Sequence, residues 1–177
     1  SKDEEVIVSS KLHGSQLNYI RDEEMNEYLS SKGLIGKGLV LRDVGSNLYW
    51  TAVKEVNLKQ ILDTAFPGSF VQVMAEVIPC QKGFNYGFVN PTLKIFRIEV
   101  DKVRYSYVQL KEKVKENPDI QSIIDLWVPV KYVGPFDMEK IVQFSKGREQ
   151  VSGKELHIEE GVVVEPVIPR NSKVGHF

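Results

Sequence analysis

Val6-Ile7-Val8-Ser9-Ser10-Lys11-Leu12-His13-Gly14-Ser15-Gln16-Leu17-Asn18-Tyr19-Ile20 is the stretch on which the fold turns. Val6-Ile7-Val8 is a short apolar run of the kind that forms a strand. Gln16 to Ile20 alternates polar and apolar side chains, as a half-buried strand does. Lys11 to Gly14 is a tight connection between the two. A lysine therefore follows one strand directly, and a glycine precedes the next.

The same pattern continues outward. Phe70 to Ile78 is rich in β-formers: Val71, Val73, Ala75 and Val77 point one way, and Gln72, Met74, Glu76 and Ile78 the other. Leu93 to Val100 alternates again, with Phe96, Ile98 and Val100 on one face. Val128 to Val133 reads as a strand ended by Gly134-Pro135, and Gly161 to Val164 as another. Helical spacing appears at Leu48, Tyr49, Ala52, Val53 and Val56, and again at Leu58, Ile61, Leu62 and Ala65, up to the break at Pro67-Gly68. Tyr107 to Lys115 and Ile120 to Leu126 read as helices broken near Asn117-Pro118. Asp137 caps a helix running to Phe144. Asp22 to Glu24 is an exposed turn, Gly33, Gly36 and Gly38 mark a flexible stretch, and residues 81–91 form a loop. With no internal repeat or obvious linker, residues 1–177 read as one α+β domain, built mainly on antiparallel sheet with flanking helices.

Bulk composition narrows the class. The 177 residues are 42% hydrophobic and 27% charged, an ordinary balance for a soluble globular domain. No run reaches the length of a membrane span. The single cysteine, Cys80, has no internal disulfide partner, which fits a reducing, cytoplasmic setting. A net charge of −1 argues against binding nucleic acid by bulk electrostatics. It leaves room for a local basic site, and Lys32, Lys37, Arg42 and Lys54 lie close together in sequence; on charge alone a solvated surface is the preferred reading of them. Trp50, Trp127 and Tyr49 read as packing residues, and His157 as a surface histidine.

Lys11-Leu12-His13-Gly14 is a Lys-x-x-Gly pattern. By composition it should arise about once by chance in such a chain, and Lys131-Tyr132-Val133-Gly134 repeats it. Partners are what would give Lys11 chemistry. A lysine amine attacks only when deprotonated, from a reference pKa of about 10.4. A nearby glycine lets backbone approach a ligand, and carboxylates are needed to hold a divalent metal beside phosphates. Glu76 interrupts an apolar strand and Glu160 precedes another. Each could equally be an edge glutamate facing water.

These pieces, in this order, resemble the covalent nucleotidyltransferase superfamily of DNA ligases, RNA ligases and capping enzymes, with an ATP-grasp-like ligase fold. The resemblance runs from Val6 to about Pro169. Lys-x-His-Gly resembles RNA ligases in particular, where the lysine takes up AMP. It implies ATP and Mg2+ (or Mn2+) as cofactors, with Lys11 as the nucleophile and His13 and Gly14 in its loop. Gln16 stands where close relatives favour asparagine and keeps an amide for phosphate or metal water. The tract around Lys32 resembles the motif whose basic residue contacts the nucleotide. Ala75-Glu76-Val77 resembles the motif whose glutamate binds the ribose. The Leu93–Val100 strand resembles the one supplying a ring to stack on the purine, for which Phe96 is the choice over Leu93 or Ile95. Glu159-Glu160-Gly161-Val162-Val163 resembles the motif whose glutamate holds the metal, with Glu160 and Glu76 as its carboxylates.

Two departures shape the expectation. Glu165 stands where relatives often carry a basic residue. The fifth motif has no counterpart after Glu160, since Lys173 is too close, so the chain reads as a core cut short at its C-terminal end and without an RNA-gripping domain. The expected partners of the parent protein are RNA ends or a nicked duplex, with no membrane, and the expected state is a monomer. A DNA ligase or capping guanylyltransferase domain, and a non-catalytic module that binds nucleotides or RNA ends, are the alternatives.

Overall fold

The computed structural model describes residues 4–172 and 175–176. The two strands of the opening stretch, β1 (Glu5–Lys11) and β2 (Ser15–Arg21), do not pair with each other. They enter different sheets, and the Lys11–Gly14 connection crosses from one to the other. The larger sheet adds β3 (Glu27–Ser31), β4 (Val71–Ile78), β5 (Thr92–Val100) and β6 (Val103–Tyr105), in the order β3-β2-β4-β5-β6. The smaller has β7 (Val130–Pro135) and β8 (Gly161–Pro166) on either side of β1. All these pairings are antiparallel. Beyond them, β9 (Asn171–Ser172) pairs with β10 (Gly175–His176).

Alternation decides what each face meets. In β2 and β4, Leu17 lies opposite Ala75 and Tyr19 opposite Val73, and all four are buried. They pack under α2 (Leu48–Glu55), α3 (Leu58–Ala65), α4 (Tyr107–Glu116) and α5 (Gln121–Asp125) through Trp50, Leu58, Leu62, Leu110 and Ile123. Helix starts are fixed locally: Asn47 accepts from the Tyr49 and Trp50 amides, and Ser106 and Gln109 form a capping box. The other face of the large sheet carries Gln16, Glu76, Asn18 and Met74 as cross-strand neighbours. The small sheet buries Val6 and Val8 against α6 (Met138–Phe144), which Asp137 caps as its sequence implies.

Three expectations need correction. The glycine-rich stretch starts with one helical turn, α1 (Lys32–Ile35). Ile78 does point with Glu76 towards the Gly14 turn, as the alternation implies, and is fully buried there. Phe96, Ile98 and Val100 do not share a face, because β5 carries a bulge: Arg97 faces Met74 and Ile95 faces Ala75, leaving Phe96 as the extra residue. The core face is Leu93, Ile95, Ile98 and Val100. The bulge lies where the Leu126–Val128 segment docks on β5, with the Ile95 amide donating to the Leu126 carbonyl and the Val128 amide to the Ile95 carbonyl, at 2.7 and 2.8 Å. His157, finally, packs among aromatic rings and is not a surface residue.

Candidate active site

A cleft of about 750 Å³ opens between the two sheets. Ser9, Ser10 and Lys11 of β1 and Val163 of β8 line one wall, and Gln16, Glu76, Phe96 and Arg97 of the large sheet line the other. His13, Gly14, Lys32, Gln81, Val128, Glu160 and Glu165 complete it. Every residue singled out as a site candidate therefore faces one cavity: Lys11, His13, Gly14, Gln16, Lys32, Glu76, Phe96 and Glu160. Leu93 and Ile95, the alternatives to Phe96, are buried in the core instead. Lys173 lies outside the described residues.

Lys11 ends β1 in register with Gly161, which puts Glu160 beside it. The Lys11 ammonium pairs with Glu160 Oε1, and the lysine side chain is half exposed, at 50%. His13 Nδ1 stands 3.4 Å from Glu160 Oε2. Burial, then the charge of Lys11, then His157, hold the His13 imidazole below its usual pKa and favour its neutral form.

The loop of residues 81–91 grips the turn that carries these groups. The Tyr86 hydroxyl accepts from the His13 amide at 2.8 Å, and Gln81 donates its side-chain amide to the Gly14 carbonyl at 2.9 Å. Phe84 stacks on the His13 ring at 3.6 Å, and His157 meets Phe84 and Tyr86 edge-on. Gly14 is required by space: a Cβ there would lie 2.5 Å from the Val77 carbonyl oxygen and 2.6 Å from Glu76 Cγ. Glycine thus lets the turn lie directly on β4.

Glu76 is on a central strand, not an edge, and points into the cleft. Burial pushes its carboxyl up to about 7, against the opposing pull of Lys11, the Gly14 amide and Lys32. A carboxyl poised there both donates and accepts hydrogen bonds near neutrality.

Sequence reasoning missed Arg97, Gln81, Phe84 and Tyr86. Arg97 lines the cleft beside the bulge, and no motif singled it out. The other three lie on a loop without periodicity. Glu165, which stands where relatives often carry a basic residue, is paired with Arg104 from β6, so that wall presents an ion pair.

Two antiparallel sheets close on a strand-end lysine with carboxylates on both walls, the arrangement expected from the resemblance to nucleotidyltransferases. Residues 4–176 match the family model described as RNA ligase, and the chain belongs to the RNA ligase family. Among solved structures it is similar to a Naegleria gruberi RNA ligase with PPi, at 19% identity and TM-score 0.73, over 94% of this chain and 47% of that one. A mutant of that ligase with ATP and Mn matches at 19% identity and TM-score 0.73, over 94% and 47% of the two chains. Another mutant, with AMP and Mn, matches at 18% identity and TM-score 0.74, again over 94% and 47%. The chain spans about half the length of the solved ligases it matches, at 47%. No curated protein matched by sequence.

Proposed function

We propose that this chain is the adenylyl-accepting core of an ATP-dependent RNA ligase, with Lys11 as the residue that takes up AMP. The observation that carries the reading is the pairing of Lys11 with Glu160 inside a cleft that also holds Glu76, Lys32 and Phe96. The Lys11 Nζ attacks the α-phosphorus of ATP. A P–N bond forms, the bond to the bridging oxygen breaks, and pyrophosphate leaves with that electron pair. Glu160 is the nearest acceptor for the proton that Lys11 must lose.

The remaining side chains bind and orient. Phe96 offers a ring face to the purine, and Glu76 offers a carboxyl to the ribose hydroxyls. Lys32 supplies positive charge to the phosphates, and Gln16 an amide. Among the described residues, no three His, Cys, Asp or Glu side chains cluster to hold a metal by themselves. The two cleft carboxylates, Glu160 and Glu76, fit Mg2+ or Mn2+ arriving with the phosphates, because magnesium is commonly held by one or two carboxylates plus substrate oxygens. Glu160 and Glu76 would hold it, and it would offset phosphate charge at the reacting centre. In the parent protein the AMP then passes to an RNA 5′-phosphate, and a 3′-hydroxyl displaces it to seal an RNA end or nick.

Intact mass after incubation with ATP and Mg2+ tests this. The expected result is one AMP adduct, localised to Lys11 by peptide mapping and absent from Lys11→Ala. An adduct that persists in Lys11→Ala would remove Lys11 from the role. Tight ATP binding with no adduct would support the non-catalytic alternative.

A further inference from the structure

We propose that Lys131 and Glu159 form a positioning pair, a buried ion pair that fixes Glu160 and, through it, the Lys11 side chain. The inference rests on the adenylylation reading above. It starts from the second Lys-x-x-Gly of the sequence. Lys131 is the extra residue of a bulge in β7: Val8 faces Tyr132 and Ser9 faces Val130, so Lys131 has no partner across the ladder. A bulge re-aims its side chain. Here it turns the lysine inward, with Nζ 2.7 Å from Glu159 Oε2 and only 5% and 1% of the two side chains exposed.

The surroundings are built for this pair. Glu159 donates its amide to the Gly147 carbonyl at 3.1 Å. A Cβ on Gly147 would stand 3.6 Å from Lys131 Nζ and 3.7 Å from Glu159 Oε2. Among the described residues, no well-aligned hydrogen bond reaches either Glu159 oxygen, so the attraction is between charges. Such a pair is a poor source of stability, because desolvating two ions costs about what their attraction returns.

Its place in the chain supplies the reason for it. Glu159 is anchored inside, the next residue pairs with Lys11 and approaches His13, and the one after enters the β1–β8 ladder opposite Lys11. Glu160 is thus held on one side by Lys131 through its neighbour and on the other by the sheet. Without Lys131, Glu159 is an uncompensated buried charge. It must turn towards water, and Glu160 moves with it.

The test uses the full chain with Lys131→Met, Lys131→Arg and the double Lys131→Met/Glu159→Met. Adduct formation is followed over a range of ATP concentrations, with thermal unfolding as the stability control. The single Met variant leaves a buried charge and can unfold for that reason alone, so the double decides. Replacing a whole buried pair by apolar side chains is often neutral or stabilising. The double should therefore fold as well as the unsubstituted chain while kcat falls about 100-fold, the size of effect that a misplacement of about 1 Å produces, with KM for ATP little changed. Lys131→Arg should restore most of kcat. Without nucleotide, the rate at which a small amine reagent labels Lys11 should rise in the double. A folded double with unchanged kcat and unchanged Lys11 labelling overturns the proposal. If the unsubstituted chain forms no adduct, the adenylylation reading fails instead, and the labelling comparison still decides whether the pair positions Lys11.

Discussion

Replacing Glu76 by Gln should make the folded protein less sensitive to pH, with a sign that the cleft dictates. Burial drives the Glu76 carboxyl up to about 7 from an ordinary 4.5. A group whose folded pKa is raised binds its proton more tightly in the folded state. Its contribution to stability is complete below the unfolded value and is lost as pH rises through the folded one. The loss therefore falls between pH 4.5 and about 7. A shift of that size corresponds to about 3 kcal/mol at most, and partial solvent access reduces it to about 1–2 kcal/mol. Gln keeps the shape and carries no titrating proton. Urea unfolding at about pH 5 and about pH 8 should show the unsubstituted chain losing about 1–2 kcal/mol relative to Glu76→Gln as pH rises. A difference independent of pH would mean that Glu76 titrates normally. A difference that grows the other way would mean an ion-paired carboxylate, and either result would refute burial as the dominant influence on this carboxyl.

Gly14→Ala places a methyl carbon 2.5 Å from the Val77 carbonyl oxygen, a backbone atom that cannot swing aside. The expected cost is about 1–3 kcal/mol of stability in urea unfolding, with impaired adduct formation, and a variant of unchanged stability would show that the turn has room to lift off β4. Phe96→Ala should weaken ATP binding by about 1–3 kcal/mol in titration calorimetry, the usual worth of a base stacked on an aromatic ring, and unchanged affinity would exclude Phe96 from the base site. Tyr86→Phe leaves the His13 amide without its acceptor. It should cost about 1–3 kcal/mol of stability, and a null effect would mean that water takes over the bond.

Much of this protein can be read along the chain, because strand alternation and helix spacing are local. Val71, Val73, Ala75 and Val77 do share the buried face, Asp137 does cap α6, and the Lys-x-His-Gly turn does follow a strand. The nucleophile candidate and both candidate carboxylates were legible from motif order, and all three line one cleft. Two bulges were not legible. In β5, strict alternation assigns Phe96 to the face of Ile98 and Val100, yet the extra residue turns it into the cleft. In β7, the extra residue sends Lys131 to Glu159, while its motif resembles that of the exposed Lys11. A bulge is set by what crosses the sheet edge, as the Leu126–Val128 segment bonded to Ile95 does in β5, and such a partner is distant in sequence. The same holds for the Tyr86 and Gln81 tethers, which come from a loop without periodicity. Sequence alone determined most of the strands and helices and the chemical groups on offer, though not β3, β6 or α1. Tertiary structure decided which of those groups meet, because a bulge or a loop contact reverses a side chain's direction at the cost of one residue.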